Sequence, residues 1–542
     1  MSSRRAWVAA IGFTVLLASL SAGLPADGFF AGDPGVKLIA AQAAWEHPLR
    51  PLELDLPRIN GAPAPQFLSP FFVHHEGHAH AITSPLFPIL SAPFIGFFGV
   101  RGAYVLPIFA FGLLLVCMGV LAERLRLAAG TIGILLTAFC SPMVFYGLEY
   151  WEHLPALAAV MAGVTLLAVG RTGWKIAAAG LLLSLAALLR PEGVWFCIAG
   201  GLAAMTILPS RSRAVLAMAF AAGMLPIVVF NYLHFGNLSG VHVSSNLGAL
   251  VTDWPRSRIM LLDRWFGPSG NWAVALALML MLVGFLWGAT PGGRIAGYFG
   301  LGLLSTGVAL GWLPRENLWA AAPTAALALA PVEPGQGPSI ARAVGWATLL
   351  GIVAVIATAP NDGGAQWGPR YILFAAPVLL LVAAHKIRIL WTDHGAERWF
   401  ARAAVVLVLV AALVTTRAAY RELRASKRYY SRLAYATALA SHDVSFIVSN
   451  IWWFDQINAG AAVNATFLYA KDAAAAQAAL RQTSPATVLL ATSEESEFLT
   501  TLGAWAEGTC YVNKDRQELA ERRVVLQRVE CNVATTARPS AR

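Results

Sequence analysis

The sequence predicts a polytopic α-helical membrane protein with a small C-terminal α/β domain, and three observations carry that reading. First, 57% of the 542 residues are hydrophobic and 13% charged, with mean hydropathy +0.62, whereas a soluble domain has about 25% charged residues. Second, apolar windows of roughly 20 residues recur from residue 6 to residue 416, the length a helix needs to cross about 30 Å of hydrocarbon. Third, Lys and Arg cluster in alternate connections, which is the orientation signal of membrane chains. Continuous rather than alternating apolar runs exclude a β-barrel. The net charge of +10 lies in those connections and forms no phosphate-tracking stripe, so no nucleic-acid partner is expected.

Ser2-Ser3-Arg4-Arg5 ahead of the apolar run 6–24 has the form of a signal peptide; it is read as an uncleaved first span. A loop of about sixty residues, 25–84, follows and holds much of the ionisable chemistry. Residues 83–100 carry Pro85, Pro88 and Pro93 and read as an interfacial or re-entrant helix. Crossings are then expected at 101–122, 127–145, 154–170, 176–189, 193–209 and 214–230. A second long loop, 231–271, precedes further crossings at 272–288, 295–313, 318–332, 343–359, 371–384 and 403–416. That makes about thirteen spans. The basic connections share a side with the N-terminus, so the N-terminus is expected in the cytoplasm. The odd count places both long loops and the C-terminal region on the extracytoplasmic side of a cell inner membrane.

The polar remainder divides into a basic, Tyr-containing linker or amphipathic helix at 417–440, a domain at 441–534 and a frayed tail at 535–542. Strands are expected at 444–449, 467–469, 487–492 and 523–529, with an Ala-rich helix at 472–481. No Gly-rich phosphate loop follows any strand, which favours binding or packing over nucleotide chemistry. Cys117, Cys140 and Cys197 lie in apolar spans as packing residues. Cys510 and Cys531 lie in the polar region, where an oxidising face would join them in a disulfide.

Several polar residues invite chemistry. Asp33, between Gly32 and Pro34-Gly35, sits just outside the first span; an ordinary turn Asp is the alternative. Glu149 and Glu152 are three apart and would share a face if a helix runs through them, with Trp151 and His153 beside them. A second carboxylate there could orient hydroxyls, bind a metal or pair with an Arg. Arg190, Arg315 and Arg370 stand alone on the side poor in basic residues, against the general bias. In the run His74-His75-Glu76-Gly77-His78-Ala79-His80, His74, His78 and His80 are metal candidates by loose spacing; a sugar-binding or solvated loop is the alternative.

The segment around Asp33 resembles the first extracytoplasmic loop of the GT-C superfamily of integral-membrane glycosyltransferases, which includes protein O-mannosyltransferases and the lipid A aminoarabinose transferase. Pro85-Leu86-Phe87-Pro88 with Ala92-Pro93-Phe94 is similar to that superfamily's interfacial helix. Gly368-Pro369-Arg370-Tyr371 is similar to a motif at the outer end of a late helix in its bacterial members, and Arg190-Pro191-Glu192 and Asn231-Tyr232-Leu233-His234-Phe235-Gly236 resemble its loops. The resemblance covers residues 1–416 and implies a GT-C-like fold and a polyprenyl-phosphate-linked sugar as donor. A glycan, lipid or protein would be the acceptor. It implies Asp33 as catalytic base and Glu152 as the active-site acid of the fourth span. Arg370 and Arg190 would hold the donor phosphate, a bidentate guanidinium suiting phosphate oxygens, with Tyr371, Glu149 and Lys37 around the substrate. Pro34 stands where many members carry a second acid, which leaves Asp33 as the single loop base. Some members use a divalent cation and others do not; none is required here. A transporter, or a polysaccharide polymerase or ligase of another fold, is the alternative. A transporter would place charge or broken helices near mid-membrane, and the span interiors here are nearly free of charge.

Overall fold

The computed structural model describes residues 3–531 except 31–32, 51–52, 55–57, 60–61, 64–70, 76–77, 128, 171, 241–253, 332–338, 362, 364–365, 393–395, 462–464, 477–486, 494–509 and 520–523. Gly32, Glu76, Gly77, the distal part of the expected helix at 472–481 and the tail 535–542 therefore lie outside the described residues. The chain forms two compact units. One comprises Met1–Ser21 and Tyr104–Leu423; the other comprises Ala22–Ala103 and Arg424–Arg542.

The first unit is helical. His153–Val169 packs against Val105–Arg124 and Gly173–Leu189. Nearly every residue from Leu154 to Ala162 is buried, the mark of a central helix with no solvent or lipid face. The Ala-rich stretch lets neighbouring backbones approach closely, the packing mode available where lipid removes the hydrophobic drive between helices. Gly173–Leu189 packs in turn on Ser210–Phe235. Among the described residues, Leu86–Arg124, Ser210–Leu233, Arg370–Thr392 and Arg398–Ala440 are long and apolar enough to cross a membrane, and seven shorter apolar helices accompany them.

Two expected crossings are broken. The run at 127–145 is two helices, Gly130–Phe139 and Met143–Gly147, parted at Ser141-Pro142, because proline supplies no N–H and restricts the residue before it. The run at 318–332 is a four-residue helix, Leu318–Ala321, followed by the 3-10 segment Pro323–Leu329. Pro323 ends the α-helical bonding there. In the second long loop, Trp254–Phe266 forms a helix.

In the second unit the loop 25–84 is structured. Asp33–Glu46 is a helix, and Phe72–His75 and His78–Ala81 form an antiparallel hairpin. Val36, Ala40, Leu54, Phe72 and Ala79 close a small core between them. Towards the C-terminus a five-stranded mixed sheet forms. Thr466–Tyr469 and Thr487–Ser493 flank Phe446–Ser449 in parallel, and Val524–Cys531 and Cys510–Leu519 add antiparallel strands at one edge. Ile447, Leu489, Ala491, Val524 and Leu526 make one buried face with Tyr430 and Leu433. The linker at 417–440 is helical, being the end of the 43-residue helix Arg398–Ala440. The strand Cys510–Leu519 has no sequence expectation behind it. Its Lys514, Asp515 and Arg516 break apolar alternation, as charges do on the edge strands they protect from pairing.

Candidate active site

The first unit gathers buried charge at helix ends. Glu152 immediately precedes His153–Val169, Arg190 follows Gly173–Leu189, and Glu192 precedes Gly193–Met205. Carboxylates at helix N-termini and a cation at a helix C-terminus each complement the local dipole. Arg190 Nη1 donates to Glu152 Oε1 at 2.8 Å and Nε donates to Glu192 Oε1 at 2.8 Å; Nη2 also donates to Glu192 Oε1. The three side chains are 7% exposed or less. All three guanidinium nitrogens thus address carboxylates. Sequence reasoning offers Arg190 as a phosphate ligand; in this structure it pairs with two acids.

Glu149 is fully buried. It does not share a helix face with Glu152: Trp151 N–H donates to the Glu149 carbonyl at 2.9 Å, closing a tight turn before the helix begins at His153. The aromatic rings of this turn form one cluster. Tyr146 lies 5.6 Å from Trp151 and 5.1 Å from His153, and Phe145 lies 6.5 Å from Trp367. The Tyr146 phenol is fully buried and within electrostatic reach of Arg370 and Arg190.

Arg370 opens the 3-10 segment Arg370–Ala375. Its guanidinium lies 5.1 Å over the Tyr371 ring and donates to the Tyr371 hydroxyl at 3.3 Å, while that hydroxyl donates to Asn361 Oδ1 at 3.0 Å. Gly368 holds φ at +82°, and a side chain there would meet Ala321 at 2.9 Å. Glycine at this position is needed for both reasons. Its N–H donates to the Arg315 carbonyl at 2.9 Å. Arg315 itself pairs with Glu316 at 3.3 Å and with Glu422.

Asp33 belongs to the second unit, as do Lys37 and the histidines. Asp33 is the first residue of its helix rather than a turn residue, because Pro34 has the φ a helix start needs and its missing N–H costs nothing there. The carboxylate is half-buried. Lys37, one turn on and so on the same side of the helix, is 1% exposed. A Cβ on Gly35 would meet the Gln456 carbonyl. The helix therefore lies directly against the segment Phe454–Ile457, and only glycine permits it.

The histidine run is a hairpin, not one extended ligand-bearing segment. His75 stands opposite His78, His74 opposite Ala79, and Val73 opposite His80. His74, His78 and His80 thus fall in three different register pairs. His78 Nδ1 lies 3.4 Å from Glu53 Oε2. Among the described residues no three His, Cys, Asp or Glu side chains are grouped to hold a metal. Cys510 and Cys531 are direct cross-strand partners; their side chains lie outside the described residues.

Asp455, which sequence reasoning passed over, is 9% exposed, and burial pushes its carboxyl up to about 7 from 3.8. The fold favours the neutral acid. Below about pH 4 both states are protonated and the group is neutral to stability. Between about pH 4 and 7 the unfolded chain ionises first, so stability falls, and above pH 7 the penalty is complete. Asp455→Asn should raise the thermal midpoint at pH 8, with the difference from wild type vanishing near pH 4. A pH-independent difference would contradict this.

No family model matches the chain, and no curated protein sequence does. Solved structures do. The chain is similar to ArnT from Cupriavidus metallidurans in the apo state (TM-score 0.49, 12% identity, 97% of this chain and 98% of that one) and bound to undecaprenyl phosphate (0.48, 11%, 98% and 99%). It is also similar to the archaeal oligosaccharyltransferase AglB from Archaeoglobus fulgidus, in complex with an inhibitory peptide and a dolichol-phosphate (0.45, 14%, 93% and 72%).

Proposed function

We propose that the chain is an inverting membrane glycosyltransferase that moves a sugar from a polyprenyl-phosphate donor to an acceptor hydroxyl at the extracytoplasmic face. The observation that carries the reading is the position of the buried charge. Glu152, Arg190 and Glu192 sit at the ends of apolar helices, with Arg370 at the head of another helical segment. A transporter instead concentrates such groups near mid-membrane.

The chemistry assigns each residue a task. Asp33 takes the proton from the acceptor hydroxyl as its oxygen bonds to the anomeric carbon. The bond from that carbon to the phosphate oxygen breaks, and the electron pair leaves with the polyprenyl phosphate. Arg370 offers a guanidinium to the charge that develops there, with Tyr371, Glu149 and Lys37 lining the substrate. Glu152 orients the reacting hydroxyl, and Arg190 is a positioning residue that fixes Glu152. The Cys510–Cys531 disulfide belongs to the same proposal, since it requires the oxidising face of an inner membrane.

Protein in detergent, supplied with radiolabelled polyprenyl-phosphate sugars and envelope glycan, lipid or protein acceptors, should transfer label. Counterflow of solute in proteoliposomes without transfer would establish the transporter instead.

A further inference from the structure

Three buried polar groups beside Arg370 take no part in the mechanism above. Gln366 is fully buried, and neither its amide oxygen nor its amide nitrogen has a hydrogen-bond partner among the described residues. The same holds for the Tyr146 hydroxyl and for the Trp367 indole N–H. Leaving such groups unpaired in a protein interior is costly, and native structures keep few of them without a reason. Gln366 adjoins Arg370, and the other two share a neighbouring ring. A Cβ on Gly363 would lie 2.4 Å from the Gln366 amide and 3.4 Å from Arg370 Nε, so both side chains cover one glycine. Trp367 is linked to Tyr146 through Phe145, whose ring lies 6.5 Å from the one and 5.5 Å from the other.

We propose that Gln366, Tyr146 and Trp367 bind the hydroxyl groups of the donor's sugar ring, next to the phosphate held by Arg370. The set is neutral, with one two-faced amide, one hydroxyl and one N–H, set among aromatic rings. That is the chemistry of a pyranose or furanose, which offers paired hydroxyls at its edge and C–H bonds on its face. A phosphate would call for more positive charge, and an acyl chain would leave every one of these polar atoms unmatched. The inference rests on the glycosyltransferase reading and deepens it: these residues set sugar selectivity, while Arg370 sets carrier affinity.

The test compares two probes on the full-length protein in detergent: undecaprenyl phosphate alone, and undecaprenyl phosphate bearing a hexose or pentose. Wild type should prefer one sugar-bearing lipid over the bare carrier. Gln366→Met and Tyr146→Phe should reduce that preference roughly 10- to 100-fold, the worth of one or two hydrogen bonds, with affinity for bare undecaprenyl phosphate unchanged. Arg370→Ala should weaken both lipids alike. Gln366→Met also separates ligand binding from structure. Removing an unmatched buried amide in favour of an apolar chain of similar shape leaves the thermal midpoint level or raises it, whereas a structural glutamine would lower it. An unchanged lipid preference in both variants, or a lowered midpoint in Gln366→Met, overturns the sugar site. Failure of wild type to bind either lipid overturns the parent reading instead.

Discussion

Asp33→Asn should reduce sugar transfer by about 10²- to 10⁴-fold, the range expected when a positioned general base is lost, and should leave the protein folded and the donor KM little changed. The substitution is isosteric. Asn is tolerated at a helix start almost as well as Asp, so the cost to the helix Asp33–Glu46 is the loss of one charge from its N-terminus, about 0.3–1 kcal/mol. Proton acceptance, by contrast, is removed outright, because an amide oxygen does not take up a proton at neutral pH. The effect should therefore fall on kcat. Glu at position 33 retains a carboxylate but moves it by a methylene, and should recover part of the rate. Full turnover in the Asn variant would reject Asp33 as the base, and a raised donor KM with unchanged kcat would assign it to binding.

The apolar helices were legible because hydrocarbon imposes a length and a composition that short windows register. Where proline interrupts such a run the window is blind, as at Pro142 and Pro323. Composition there stays apolar while the backbone leaves the α-helix. The buried strands Phe446–Ser449 and Thr487–Ser493 announced themselves by β-branched and aliphatic content. The edge strand Cys510–Leu519 did not, since charge serves an edge and hides it. Loop 25–84 misled for a related reason: the helix Asp33–Glu46 is short and only weakly apolar, and it is held by Gly35 against Gln456, a contact no local pattern encodes. At the candidate site, Arg190, Glu152 and Arg370 were visible as charges out of place in an apolar chain. That Arg190 and Glu152 are partners across 38 positions is tertiary information. Gln366 and Tyr146 carry no charge to draw notice, and only burial beside Arg370 marks them.

Arg190→Met should destabilise the first unit by about 3–5 kcal/mol, the cost of stranding a buried charge. With the guanidinium gone, Glu152 and Glu192, 2% and 8% exposed, face the same space without the charge that joined them. Either both ionise in a low-dielectric setting or they take up protons, and both outcomes draw on folding free energy. Arg190→Lys should recover only part of the loss. Its ammonium is a point charge, whereas Nε, Nη1 and Nη2 together reach Glu152 and Glu192 from one plane. The decisive variant changes the whole set. Glu152→Gln with Arg190→Met and Glu192→Gln removes all three charges, and its thermal midpoint should lie well above that of Arg190→Met alone, since an uncharged set of similar volume has no charge to strand. Transfer should nevertheless stay low in the triple variant, because the fold returns while the acid that orients the hydroxyl does not. Recovery of stability and transfer together would mean that the triad serves the fold alone. No recovery of stability would mean that its side chains do more than balance charge.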